Sequence, residues 1–146
     1  MRAQAISANV ASGHTGTNYR LRVLLVEDDQ HGLRGLASLF WDEGYRVEAA
    51  RDGWGALRRI KEGGFDLVVI DLDARPVYGA ALSGWELARM YRALHPVTPV
   101  VVASIEDGPE VRSRTWPLKA AVLLPKPVDP SRLRAVVKWL GLAAEV

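Results

Sequence analysis

The sequence contains no cysteine. Disulfides, thiolate nucleophiles and cysteine metal ligands are therefore excluded, and cysteine usage says nothing of redox compartment. No apolar run approaches the roughly twenty residues a membrane-spanning helix needs. The first twenty residues, MRAQAISANVASGHTGTNYR, hold no compact apolar core of a signal peptide. Their Ser, Gly, Asn and Thr content reads as a flexible tail, leaving residues 21–146 for one folded domain. Charge of one sign is scarce: 19 Lys and Arg face 17 Asp and Glu, a formal net charge of +2. That is far from the basic stripe of a nucleic-acid-binding domain. Only three histidines occur, with no pair at ligand spacing. His14 falls in the tail, and His31 and His95 read as surface residues near helix ends. There is no internal repeat. The 146 residues suffice for one domain with a hydrophobic core.

What remains is a strict alternation. LRVLLV (21–26), DLVVID (66–71), PVVVAS (99–104) and AAVLLP (120–125) are short apolar runs rich in β-branched residues and read as buried strands. YRVEAA (45–50) alternates apolar and polar, as a half-exposed edge strand does. Helical spacing separates them. Leu33, Leu36, Leu39 and Phe40 form one stripe; Trp54, Leu57 and Ile60 form a second after a cap at Asp52. Leu87, Met90, Tyr91 and Leu94 form a third, and Leu133, Val136, Val137 and Leu140 a last one opened by Asp129-Pro130-Ser131. Asp107-Gly108-Pro109 begins a helix that Pro117 must end. Five strands alternating with five helices predict a single-domain α/β fold, a parallel sheet covered on both faces. Ligands of such sheets bind beyond the carboxyl ends of the strands.

Those ends carry the chemistry. The first strand runs into Glu27 and Asp28, the third ends in Asp71, the fourth in Ser104, and Lys126 follows the fifth. If the strands are neighbours, three acids, a hydroxyl and an ammonium meet in one cleft. Crowded carboxylates repel and require a cation. An all-oxygen donor set completed by water suits Mg²⁺. Metal and lysine together neutralise a transferring phosphoryl group, and a carboxylate can be its acceptor. Asp29, one step beyond the acidic pair, reads as a helix-start residue. The competing explanation of Asp71, Asp28 and Lys126 is a structural ion-pair cluster, and of Ser104 a capping hydroxyl.

Taken together, VLLVEDD, DLVVIDL, PVVVAS and LLPKP, in that order and each at a strand end, resemble the signature blocks of the response-regulator receiver domain of two-component signalling, the CheY-like family. The resemblance covers roughly residues 21–142. It implies a doubly wound, flavodoxin-like sheet in the order 2-1-3-4-5. It implies Asp71 as phosphoacceptor, with Ser104 contacting the phosphoryl group and Lys126 pairing with it. It implies Mg²⁺ held by Asp28, Asp71 and the backbone carbonyl of Asp73, with Glu27 helping through water. It further implies a cytoplasmic signalling protein, whose only chemistry is its own phosphotransfer and autodephosphorylation. The expected partners are a histidine kinase or histidine phosphotransfer protein, a downstream protein target and a second copy in a homodimer, with no nucleic acid and no membrane. With little chain after the last helix, the receiver is expected to stand alone. The target contacts are expected on the fourth helix, fifth strand and fifth helix, where Arg112, Arg114, Lys119, Arg132, Arg134 and Lys138 gather with Trp116 and Trp139.

The sequence also departs from the family. Pro76 and Gly84 follow Asp71 by five and thirteen positions, so the loop DARPVYGAALSG is longer than the family's. Arg75 and Tyr78 in it could reach a phosphoryl group. Ile105 follows Ser104 where the family prefers a small residue, and Leu123 stands where an aromatic residue reports the switch. These changes admit an alternative, a pseudo-receiver that binds partners without phosphorylation. A third reading takes VVIDLD as the nucleophile motif of a haloacid-dehalogenase-like phosphohydrolase, with Asp71 as nucleophile and Asp73 as general acid. Against it, a full strand-helix-strand-helix unit precedes the motif.

Overall fold

A computed structural model describes residues 21–27, 29–51, 53–73, 83–105, 108–115 and 122–142. The expected tail, Asp28, the cap Asp52, most of the long loop with Arg75 and Tyr78, and Trp116, Pro117 and Lys119 lie outside the described residues. The elements alternate as the apolar periodicity predicts: β1 (Arg22–Val26), α1 (Gln30–Asp42), β2 (Arg46–Ala50), α2 (Gly53–Glu62), β3 (Leu67–Asp71), α3 (Gly84–Leu94), β4 (Val100–Ser104), α4 (Pro109–Thr115), β5 (Val122–Pro125) and α5 (Pro130–Trp139).

The five strands form one sheet in the order β2-β1-β3-β4-β5, and every pairing is parallel. Side chains of a strand alternate between faces, so one apolar run serves two cores. Leu24, Val26, Val68, Ile70, Val100 and Val102 pack on one face against Ala56 and Ile60 of α2, Leu87, Ala88 and Tyr91 of α3, and Val111 of α4. Val23, Leu25, Leu67, Val69 and Val101 pack on the other against Leu36, Ala37 and Phe40 of α1 and Leu133 and Val137 of α5. The edge strand β2 buries only Val47 and Ala50. Burying both faces removes essentially all of the apolar surface of β1, β3 and β4 from water, at about 25 cal/mol per Å².

Helix ends follow local chemistry. Asp29 is the N-cap of α1, its side chain accepting from the Gly32 N–H, as its place after the acidic pair suggested. Ser83 and Glu86 form a reciprocal capping box at α3. Asp129 caps α5, with Pro130 in the first turn. Three expectations need correction. Trp54, placed on the apolar stripe of α2, is 58 % exposed, and the buried face runs through Ala56 and Ile60. Leu94 is 55 % exposed, because the buried stripe of α3 runs through Gly84, Leu87, Ala88 and Tyr91 and drifts past Leu94 by its last turn. His95 is half-buried rather than a surface residue. Its ring packs on Tyr91, 4.7 Å between centroids, and its Nε2 lies 2.7 Å from the carbonyl oxygen of Ile60. A carbonyl only accepts, so Nε2 carries the proton. His95 thereby satisfies an orphan carbonyl in the last turn of α2.

Candidate functional site at the carboxyl ends of the strands

The register assembles the site. Val26 pairs with Ile70 and Asp71 with Ala103, while Ser104 pairs with Pro125. One step further along each strand sets Glu27 level with Asp71, and Lys126 just beyond Ser104. The Lys126 N–H donates to the Ser104 carbonyl at 2.9 Å, extending the ladder to the lysine. Its bond to Pro127 is cis. Glu27, Asp71 and Ser104 are the only buried polar residues among those described.

Lys126 Nζ is the hub of the cluster. It donates to Asp71 Oδ1 at 3.0 Å and lies 3.7 Å from Asp73 Oδ2 and 3.9 Å from Glu27 Oε1. The Asp73 N–H donates to the same Asp71 Oδ1 at 2.9 Å, so two donors hold that oxygen. The Asp29 N–H donates to Glu27 Oε2 at 3.2 Å. Burial alone would lower the Lys126 pKa, but the hydrogen bond and charge of Asp71, then the charges of Glu27 and Asp73, raise it above its usual value. The Glu27 pKa is raised too, which for a carboxylate disfavours the charged form. Burial first, then its hydrogen bond and charge interaction with Asp71, push its carboxyl up to about 8. At neutral pH one ammonium is therefore too little for this cluster. It keeps a proton on Glu27 or takes up another cation.

The donor set, oxygen only and short of positive charge, fits a hard divalent cation such as Mg²⁺. Of the residues expected to hold it, Glu27 and Asp71 are in the cluster and Asp28 falls outside the described residues. Among the described residues no group of three or more His, Cys, Asp or Glu is spaced to hold a metal ion.

The Ser104 hydroxyl lies 3.4 Å from Asp73 Oδ1, inside the cluster. Sequence reading missed two participants. One is the Ile105 backbone N–H, which donates to Asp73 Oδ2 at 2.8 Å. A main-chain donor leaves no mark on residue type. The other is the Asp73 carboxylate as the acceptor of these donors: the receiver resemblance implied only its carbonyl, and the phosphohydrolase reading made it a general acid. The Ile105 side chain is 70 % exposed and leaves the cluster clear, whereas Leu123 packs partly buried against the α2–α4 core. On the far side, α5 divides its basic residues. Arg134 and Lys138 line a cleft of about 200 Å³ against Leu39, Phe40 and Tyr45, on the α1 flank rather than toward β5. Trp139 is exposed.

Known proteins resemble this chain in sequence and fold. Over 116 residues the chain is 31 % identical to the nitrogen assimilation regulatory protein NtrX of Azorhizobium caulinodans, covering 79 % of this chain and 25 % of that protein. It is 30 % identical over 122 residues to the transcriptional regulatory protein ZraR of Escherichia coli K12, covering 84 % of this chain and 26 % of that protein. The chain thus spans about a quarter of the length of these relatives. Among solved structures, the chemotaxis protein CheY4 of Vibrio cholerae superposes with a TM-score of 0.74 at 27 % identity, over 84 % of this chain and 99 % of that one. The receiver domain of the sensor histidine kinase PA1611 of Pseudomonas aeruginosa, solved with a magnesium ion in its active-site cleft, shares the fold at a TM-score of 0.71 and 24 % identity, over 84 % of this chain and 99 % of that one. A model of the response regulator receiver domain matches residues 23–138, most of the chain, and to that family this chain belongs.

Proposed function

We propose that Asp71 accepts a single phosphoryl group in a Mg²⁺-dependent reaction and that the domain signals by protein contact. The observation that carries this reading is the Asp71 carboxylate, buried to 2 % exposure, with its Oδ1 held by Lys126 and its neighbour Glu27 short of a cation. An Asp71 oxygen attacks phosphorus. The new O–P bond forms as the bond from phosphorus to the donor's nitrogen or oxygen breaks, and the electron pair leaves with the donor. Lys126 offsets charge on the transferring oxygens, and the Ser104 hydroxyl and Ile105 N–H donate to them. Mg²⁺, when bound by Glu27, Asp28, Asp71 and the Asp73 carbonyl, supplies the remaining neutralisation. The receiver domain of the sensor histidine kinase PA1611 carries magnesium in its active-site cleft, which supports the assignment.

The phosphoryl donor we assign is a histidine kinase or histidine phosphotransfer protein of the cytoplasm. The receiver's reader is a protein meeting α4, β5 and α5, where exposed Arg112 and Arg132 steer association. Arg134 and Lys138, on the α1 flank, belong to a separate surface. No helix among the described residues is long and apolar enough to cross a membrane. The phosphohydrolase alternative needs Asp73 as an acid toward a leaving group, yet its carboxylate is engaged by Ser104 and Ile105. Titration with beryllofluoride and Mg²⁺, followed through Trp85 at the start of α3, tests the proposal. A saturable fluorescence change lost in Asp71→Asn is expected; an unchanged response in that variant removes Asp71 from the site.

A further inference from the structure

We infer that the Asp73 carboxylate is an internal competitor for the phosphoryl group, occupying its donors until the phosphoryl group displaces it. The inference rests on Asp71 being the acceptor. Three donors from two parts of the chain, the end of β4 and the residue after β5, converge on Asp73. The Ile105 N–H donates to Oδ2 at 2.8 Å, the Ser104 hydroxyl lies 3.4 Å from Oδ1, and Lys126 Nζ lies 3.7 Å from Oδ2. A main-chain N–H, a hydroxyl and an ammonium are what the non-bridging oxygens of a group on Asp71 would require. The competing carboxylate is adjacent to that position, because the Asp73 N–H itself binds Asp71 Oδ1 at 2.9 Å.

Charge balance does not explain the arrangement. Lys126 is already bonded to Asp71 and lies near Glu27, so a third carboxylate only adds like charge. What Asp73 satisfies is the donor set. Hydrogen bonds to a charged acceptor are about twice as strong as neutral ones, so this contact is a real rival. The rival is also able to leave, since the Asp73 side chain is 29 % exposed. An anion that needs those donors binds with its intrinsic affinity reduced by the fraction of molecules in which they are free. The carboxylate thus raises the threshold for phosphorylation.

The test is beryllofluoride binding, with Mg²⁺ present, to the parent, Asp73→Asn and Asp73→Ala, together with the Ile105 amide observed by NMR. Asn keeps an acceptor oxygen without charge, and Ala keeps neither. Affinity should rise by roughly tenfold in Asp73→Ala and by less in Asp73→Asn. Without beryllofluoride the Ile105 amide should be protected from exchange in the parent and lose protection in Asp73→Ala, then regain it on binding. Binding by Asp73→Ala but not by the parent would be the strongest support. Equal gains in both variants with an unaltered Ile105 amide would reduce the effect to charge repulsion and overturn the inference. Binding by the parent that neither variant improves would overturn it while leaving Asp71 as acceptor. No binding by any of the three would remove the acceptor reading and the inference together.

Discussion

A Cβ added to Gly84 would lie 2.6 Å from the Asp71 carbonyl oxygen and 2.9 Å from the Leu72 Cα, both backbone atoms with little room to give. The first residue of α3 is therefore pressed against the end of β3, and only glycine fits there. Gly84→Ala should cost about 1–3 kcal/mol in urea melts and slow phosphorylation, because the strain falls on the acceptor's own backbone. An unchanged midpoint and rate would show that α3 does not position Asp71. At this scale much of the site could be read from residue type. Glu27, Asp71, Ser104 and Lys126 announced themselves as polar residues at the ends of apolar runs, and the first three are buried. The Ile105 N–H could not be read, since every residue except proline has one. The inward turn of the Asp73 side chain was equally hidden: a D-x-D spacing does not say whether side chain or carbonyl faces the cluster.

The helices show where periodicity suffices and where it does not. A stripe at i, i+3, i+4 and i+7 locates the core face of α3 but overstates its length, so Leu94 emerges into solvent. Capping chemistry was legible at Asp29 and Asp129, since an acid before the first apolar turn has an evident use. His95 was not, because its partner, the Ile60 carbonyl, is 35 positions away. His95→Ala should destabilise the domain by about 1–2 kcal/mol, through an orphaned helix-end carbonyl and a lost ring contact with Tyr91. Equal stability of His95→Ala and the parent in chemical denaturation would deny the strut between α2 and α3. The caps also predict an acid limit. The Ser83 backbone and side-chain hydrogen bonds lower the Glu86 pKa, and those of Ser131 lower that of Asp129. Folded pKa values below the unfolded ones mean that the unfolded chain binds more protons. These contributions are present above the usual carboxylate values of 4.5 and 3.8 and fade as pH falls through the folded ones. The Tm of Asp129→Asn should therefore lie below that of the parent at neutral pH and converge with it in acid; a gap constant with pH would contradict the cap's charge.

For the molecule as a whole, the order β2-β1-β3-β4-β5 was not available from alternation alone, which predicts a parallel sheet without ranking its strands. The order came from the four matching blocks, and the register explains why those blocks matter: it stacks Glu27, Asp71, Ser104 and Lys126 at one end of the central strands. The same register places α4 on one face of the sheet and α5 on the other, so events at Ser104 and Lys126 adjoin both elements a partner would read. A two-state domain responds to a ligand only by the difference in its contacts with the two states. Here that difference lies in which anion holds Ser104, Ile105 and Lys126, rather than in an aromatic side chain at Leu123. The central claim, that Asp71 is the acceptor, is tested most directly by incubating the protein with acetyl phosphate and Mg²⁺, followed by intact-mass spectrometry and peptide mapping. The account predicts the added mass of one phosphoryl group, located on Asp71, absent when the metal is chelated and absent in Asp71→Asn. An unmodified parent protein, or an equal gain in Asp71→Asn, would contradict it.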